Sequence, residues 1–157
     1  MKKAALATVV LTIVVAAPGG AEAKPVGLDI EMGSYMGEEA FFAVYLIDAD
    51  GRYVQTLWVS GKDRKYYADM SRWWKYLARR PQDLDAITGA SSGSDEATTL
   101  ALEIDEAFIN AGYAIRIESA VEELNVYAED AVIPLGDASR GQKIHGTGYI
   151  DFVTLNY

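Results

Sequence analysis

Phe41-Phe42-Ala43-Val44-Tyr45-Leu46-Ile47-Asp48-Ala49-Asp50-Gly51-Arg52-Tyr53-Val54-Gln55-Thr56-Leu57-Trp58-Val59 is the stretch that sets the fold class. Ala40 to Ile47 is an aromatic and β-branched run suited to a sheet interior. Asp48-Ala49-Asp50-Gly51 carries the Asp-Gly pair of a tight turn, and Tyr53 to Val59 returns as a second strand. The two form a hairpin.

On the N-terminal side, Val26, Leu28, Ile30 and Met32 alternate with small or acidic residues, the period of a half-buried strand. On the C-terminal side, Thr98 to Ile104, Tyr113 to Ser119, a segment around Asn125 to Pro134, and Tyr149 to Tyr157 read the same way. About seven short strands with turn signals between them predict a mainly β protein, an immunoglobulin-like antiparallel β-sandwich. One segment breaks the pattern. From Tyr66 to Arg80, Tyr66, Met70, Trp73 and Leu77 fall on one face of a helix, and Pro81 ends it. Gln82 to Asp95, rich in Asp, Gly and Ser, reads as a loop. The fold expected is therefore a sandwich with one inserted helix, and insertions of this kind carry function more often than the sheets do.

The N-terminus has the form of a secretory signal peptide. Met1-Lys2-Lys3 is a basic start, Ala4 to Ala17 is apolar, and Ala21-Glu22-Ala23 is an A-x-A cleavage site. Cleavage after Ala23 would leave residues 24–157 as a single domain, exported to the periplasm. The chain has no cysteine, hence no disulfide framework and no thiolate metal site. Its formal net charge of −9 disfavours nucleic acid and anionic membrane surfaces. The basic residues are nevertheless clustered: Lys62, Arg64, Lys65, Arg72, Lys75, Arg79 and Arg80 follow one another in a short span.

Directly after that cluster stands Asp85-Ala86-Ile87-Thr88-Gly89-Ala90-Ser91: an acid, a small residue, an apolar residue, a hydroxyl, Gly-Ala and a final hydroxyl. It resembles the acceptor motif at which a flavin transferase esterifies the phosphate of FMN onto the last hydroxyl. The residue types suit that chemistry. The acceptor must offer a hydroxyl nucleophile, Ser91, on an extended loop that can enter another enzyme's site. Gly89 allows close backbone approach and Ala90 adds no bulk, while Asp85 and Thr88 are expected recognition contacts. Phosphoryl transfer is mainly positioning plus charge neutralisation, which the transferase supplies. Without a flavin, the same residues make an ordinary turn. Ser92 gives a control for the register, because Ser92→Ala is expected to be without effect.

Other chemistry has little support. His145 is the only histidine, placed in a loop of glycines, and cannot build a multi-histidine metal site. Acidic pairs such as Glu122-Glu123 lack the spacing of a calcium loop. Neither a Ser-His-acid set nor a glycosidase carboxylate pair stands out; no catalytic or metal-binding residues are predicted. Tyr67 and Trp74, seven apart on the helix, are candidates for stacking on a flavin ring. The basic cluster could offset the charge of the flavin phosphate, or be a solvated helix face.

The order of motifs also resembles one family over nearly the whole exported chain. It runs through the aromatic hairpin, Leu57-Trp58-Val59-Ser60-Gly61-Lys62, Tyr66-Tyr67, Arg72-Trp73-Trp74, the heptapeptide, Thr99-Leu100-Ala101-Leu102, and Gly112-Tyr113 with Arg116-Ile117-Glu118. This is similar to the predicted periplasmic family "domain of unknown function 2271". The resemblance implies association with flavin transferases and with membrane reductases of the PepSY type. Three features depart from the family pattern: Ser91 stands where Thr is usual, Ser92 to Ala97 lacks the usual proline, and Asp105 to Ala111 lacks a Trp-Asp-Gly turn. The function expected is an electron-transfer flavoprotein with covalent FMN, not a stand-alone enzyme. The alternative is a flavin-free accessory or binding module that docks a reductase or uptake system through the basic, aromatic helix.

Overall fold

A computed structural model describes residues 22–61 and 63–157. Most of the expected signal segment, and Lys62, lie outside the described residues. Nine strands form two sheets: β1 (Ala23–Met32), β2 (Phe41–Ile47), β3 (Tyr53–Ser60), β4 (Thr88–Gly89), β5 (Ala97–Asp105), β6 (Ala114–Ala120), β7 (Val126–Pro134), β8 (Lys143–His145) and β9 (Ile150–Asn156). One sheet runs β5-β1-β9-β8 and the other β4-β3-β2-β6-β7. The molecule is thus a mainly β, two-sheet sandwich with one inserted helix, α1 (Ser71–Arg79). Each of the seven expected strands is present within a few residues of its predicted limits.

Alternation explains the first sheet. Val26, Leu28, Ile30 and Met32 point inward from β1 and meet Leu100, Leu102 and Ile104 of β5 and Val153 and Leu155 of β9; all are buried. Each such side chain contributes on the order of 1.5–3 kcal/mol by leaving water. In β2, by contrast, every residue is buried. Its inner face carries Phe42, Val44 and Leu46; on its outer face Tyr45 packs against Tyr53 of β3 and Tyr76 of α1. A strand buried on both faces needs an unbroken apolar run rather than alternation, and that is what Phe41 to Ile47 supplies.

The helical segment differs from the single helix expected. It begins as a 3-10 turn, Arg64–Ala68, breaks at Asp69-Met70, and only then enters α1. Met70 makes no side-chain cap. The cap comes from the sheet instead: the Glu118 carboxylate of β6 accepts the N–H of Arg72 at 3.1 Å and of Trp73 at 2.7 Å. A carboxylate at a helix N-terminus satisfies orphan donors and complements the helix dipole. Glu118 is fully buried. Burial pushes its pKa up, and the N–H groups of Trp73 and Arg72 pull it partly back. The break resets the helical phase. Tyr67, Met70 and Trp73 are buried, while Tyr66 and Leu77 are only partly so.

A second buried carboxylate organises the far edge. Asp130 of β7 accepts the N–H of Thr147, Gly148, Tyr149 and Ile150 and the hydroxyl of Ser119. Five donors on one buried group tie the Thr147–Ile150 loop to the second sheet, and such charge-assisted bonds are the strong ones. His145 ends β8 rather than lying in a loop, and it is exposed.

Candidate functional site

Sequence reading placed Asp85 to Ser91 in a flexible loop. The segment is instead an edge of the second sheet. Thr88 and Gly89 pair in parallel with Val59 and Ser60. Val59 N–H donates to the carbonyl of Ile87, and Gly61 N–H to that of Gly89, at 2.9 and 2.8 Å. On the other side, Ser92 exchanges two backbone bonds with Ala40. Ile87 and Ser92 are buried, at 3% and 2% exposure. Among the described residues, Ala90 and Ser91 alone between these anchors make no backbone hydrogen bond. The motif is therefore strapped at both ends, with two free residues between.

Gly89 has a structural reason to be glycine. A Cβ there would lie 2.4 Å from Cζ2 of Trp58, an overlap that neither backbone nor indole can absorb without moving. Glycine thus lets β4 close onto the indole edge. Asp85 starts the motif in an exposed turn, with its N–H on Asp83 and its carboxylate 2.6 Å from the guanidinium of Arg64. Exposed pairs of this kind contribute at most about 1 kcal/mol.

The half-buried Ser91 lies on a rim between two hollows. One, of about 260 Å³, opens at the sandwich edge between β4 and β5 and is lined by Trp58, Thr88, Ser91, Ser92, Thr98 and Leu100. The other lies on the outer face among Glu39, Phe41, Gly61, Asp63 and Tyr66. There the rings of Phe41 and Tyr66 stack at 4.5 Å and 17°. The Ser91 hydroxyl donates to the Glu39 carboxylate. Asp63 of the same hollow pairs with Lys65 at 3.3 Å, and the Lys65 ammonium lies 4.4 Å from the centre of the Tyr66 ring.

The basic cluster is split by the break at Asp69-Met70. Arg64 stays beside the motif. Arg72 pairs with Glu129 of β7 at 2.5 Å. Arg79 and Arg80 reach the opposite end of β2 and β3, where they join Gly51, Arg52, Tyr53 and Tyr76 around a hollow of about 280 Å³. β2 has seven residues, so that end lies roughly 20 Å from the Ala40–Ser92 bridge. Arg79 and Arg80 are thus too distant to neutralise a phosphate on Ser91, and Arg72 is engaged by Glu129.

The stacking candidates are also redistributed. Tyr67 is 1% exposed, and its hydroxyl donates to the carbonyl of Gly61 at 3.1 Å. Its ring is a core contact, with no face open for a ligand. Trp74 is 39% exposed but lines neither hollow beside Ser91. The aromatic groups near Ser91 are Trp58, Phe41 and Tyr66, and only tertiary contact brings them there. Glu39 carries no signal in the sequence; Trp58 is hidden as one more apolar residue of β3.

The chain belongs to the predicted periplasmic protein family DUF2271, whose profile matches residues 23–151. No curated protein and no solved structure matches the chain.

Proposed function

We propose that this chain is an exported flavin carrier in which FMN is esterified through its phosphate to Ser91. The observation that carries this reading is the arrangement at Ser91: a half-buried hydroxyl and its neighbour Ala90 are left off the backbone ladder, between anchors at Ile87–Gly89 and Ser92. A segment held in this way can offer one hydroxyl to a second enzyme while the sandwich stays folded. In the transfer, the Ser91 Oγ bonds to the flavin-side phosphorus of FAD. The pyrophosphate P–O bond breaks and AMP departs. The hydroxyl proton passes to a base, and Glu39, which already accepts it, is the nearest one.

Membership in a predicted periplasmic family supports export. Removal of residues 1–23 would take only Ala23 from β1, at the end of its ladder with β5. Asp85 and Thr88 serve as contacts for the transferase. A PepSY-type membrane reductase would be the redox partner, with covalent attachment preventing loss of flavin outside the cytoplasm.

The test is intact mass. The protein is purified from a strain that exports it together with a flavin transferase. An FMN adduct on a chain beginning at Lys24, absent from Ser91→Ala, is expected. An unmodified parent, or an adduct that survives Ser91→Ala, would sink the reading.

One observation favours a second reading, a flavin-free docking module. Arg52, Arg79 and Arg80 surround the stacked rings of Tyr53 and Tyr76, 5.2 Å apart. Of the three arginines, only Arg52 has a carboxylate partner among the described residues. An acidic segment of a reductase would suit this end of α1. A colourless protein with salt-sensitive reductase binding, lost in Arg79→Glu/Arg80→Glu, would favour it.

A further inference from the structure

We infer that the edge cavity between β4 and β5 is the seat of a planar ring with hydrogen-bond acceptors, and that the flavin ring tethered at Ser91 folds back into it against Trp58. This rests on the flavin-carrier reading for the identity of the ring, but the cavity argues for a ligand by itself.

Trp58 is 3% exposed, and it lines the cavity. Buried tryptophan N–H groups normally find an acceptor. Trp73 does so, donating to Thr56 at 2.8 Å. The Trp58 N–H has no acceptor among the described residues. Its edge is turned to the motif: a Cβ on Gly89 would stand 3.2 Å from Trp58 Nε1. The hollow keeps this N–H within reach of water, so a ligand acceptor seated there would take the place of water at the donor.

The rest of the lining agrees. Leu100 and the indole supply apolar walls, Thr88 and Thr98 add hydroxyls, and Glu96, whose carboxylate accepts the Gly93 N–H at 2.8 Å, also lines the cavity; apolar walls with a few polar groups are the usual composition of a small-molecule site. The volume of about 260 Å³ is just under the roughly 300–1,000 Å³ of such sites. It admits one end of a tricyclic ring and leaves the other end exposed for electron exchange. The acceptor-rich end of isoalloxazine, with its two carbonyls, matches the Trp58 donor. Ser91 itself stands at the mouth, so a ribityl phosphate on its hydroxyl starts where the cavity begins.

The experiment uses the protein exported together with a flavin transferase, and reads mass and flavin emission separately. In the parent, a seated ring gives quenched emission and high anisotropy relative to the same protein in denaturant. Thr98→Phe fills the cavity from β5 and keeps Trp58. Trp58→Phe keeps an aromatic wall and removes the N–H. Both should retain the adduct while emission rises and anisotropy falls, and Trp58→Phe should lower the flavin midpoint potential. Circular dichroism checks folding; if Trp58→Phe does not fold, Thr98→Phe decides alone. An adduct whose emission and anisotropy are the same in parent and Thr98→Phe would overturn the seat and leave the carrier reading standing. If the parent carries no adduct, the carrier reading fails, and free riboflavin becomes the probe. Riboflavin binding that is lost in Thr98→Phe would uphold the cavity as a ring site, and absence of binding would overturn it.

Discussion

The Cα of Gly89 packs so closely on the indole of Trp58 that an added methyl would lie 2.4 Å from Cζ2. The acceptor-like motif is therefore part of the sandwich edge, and its glycine serves folding before it serves any transferase. Gly89→Ala forces β4 away from β3. We expect a loss of about 1–3 kcal/mol, the cost of overpacking a filled site, read as a lower thermal midpoint. Flavin loading should fall with it.

Ser91 and Ser92 should separate cleanly. Ser91→Ala removes an exposed-edge hydroxyl and should change stability by no more than about 0.5 kcal/mol, while abolishing the FMN adduct. Ser92 is 2% exposed, and its hydroxyl pairs with that of Thr98 at 2.8 Å. Ser92→Ala strands the Thr98 hydroxyl, so it should cost about 1 kcal/mol and leave the adduct in place. The Ser92→Ala control is thus expected to be silent for flavin only, not for stability. Chemical denaturation and intact mass on the same samples test both statements.

Glu118 couples helix and sheet. Glu118→Gln keeps one acceptor oxygen but turns an amide N–H toward the helix donors. A loss of about 2 kcal/mol is expected, with α1 opening first in hydrogen exchange. Its pKa is raised on folding, chiefly by burial. The folded state therefore holds this proton more tightly than the unfolded state does. Its contribution to stability is greatest at low pH and declines as pH rises above the ordinary glutamate value near 4.3. The difference in unfolding free energy between parent and Glu118→Gln should accordingly narrow as pH rises from about 4. A difference that widens would contradict the assignment.

Asp130 should be the more sensitive of the two buried carboxylates. Asp130→Asn replaces one acceptor oxygen by a donor among four backbone N–H groups. About 3 kcal/mol is expected to be lost, with early exchange of the Thr147 to Ile150 amides.

The sequence by itself determined what depends on neighbours along the chain. Alternation along β1, β5 and β9 marks a half-buried sheet because side chains on a strand point to opposite faces in turn. The Asp-Gly turn at Asp50-Gly51 set the hairpin, and the motif order was enough to identify the family. The unbroken run of β2 was also visible, though its cause was not, since nothing local says that α1 will pack on its outer face. Contacts made across the chain were decided by the tertiary structure alone. The helix starts at Ser71 because a carboxylate at Glu118 caps it, and that partner is remote in sequence. β4 is two residues long and has no pattern of its own; it exists because Val59 and Gly61 hold one side and Ala40 holds the segment after it. The break at Asp69-Met70 sent the basic residues to opposite ends of β2 and turned Tyr67 inward. Only packing could place Trp58, with its unpaired N–H, beside Ser91, because the two lie on strands and loops that meet through the sheet and not along the chain.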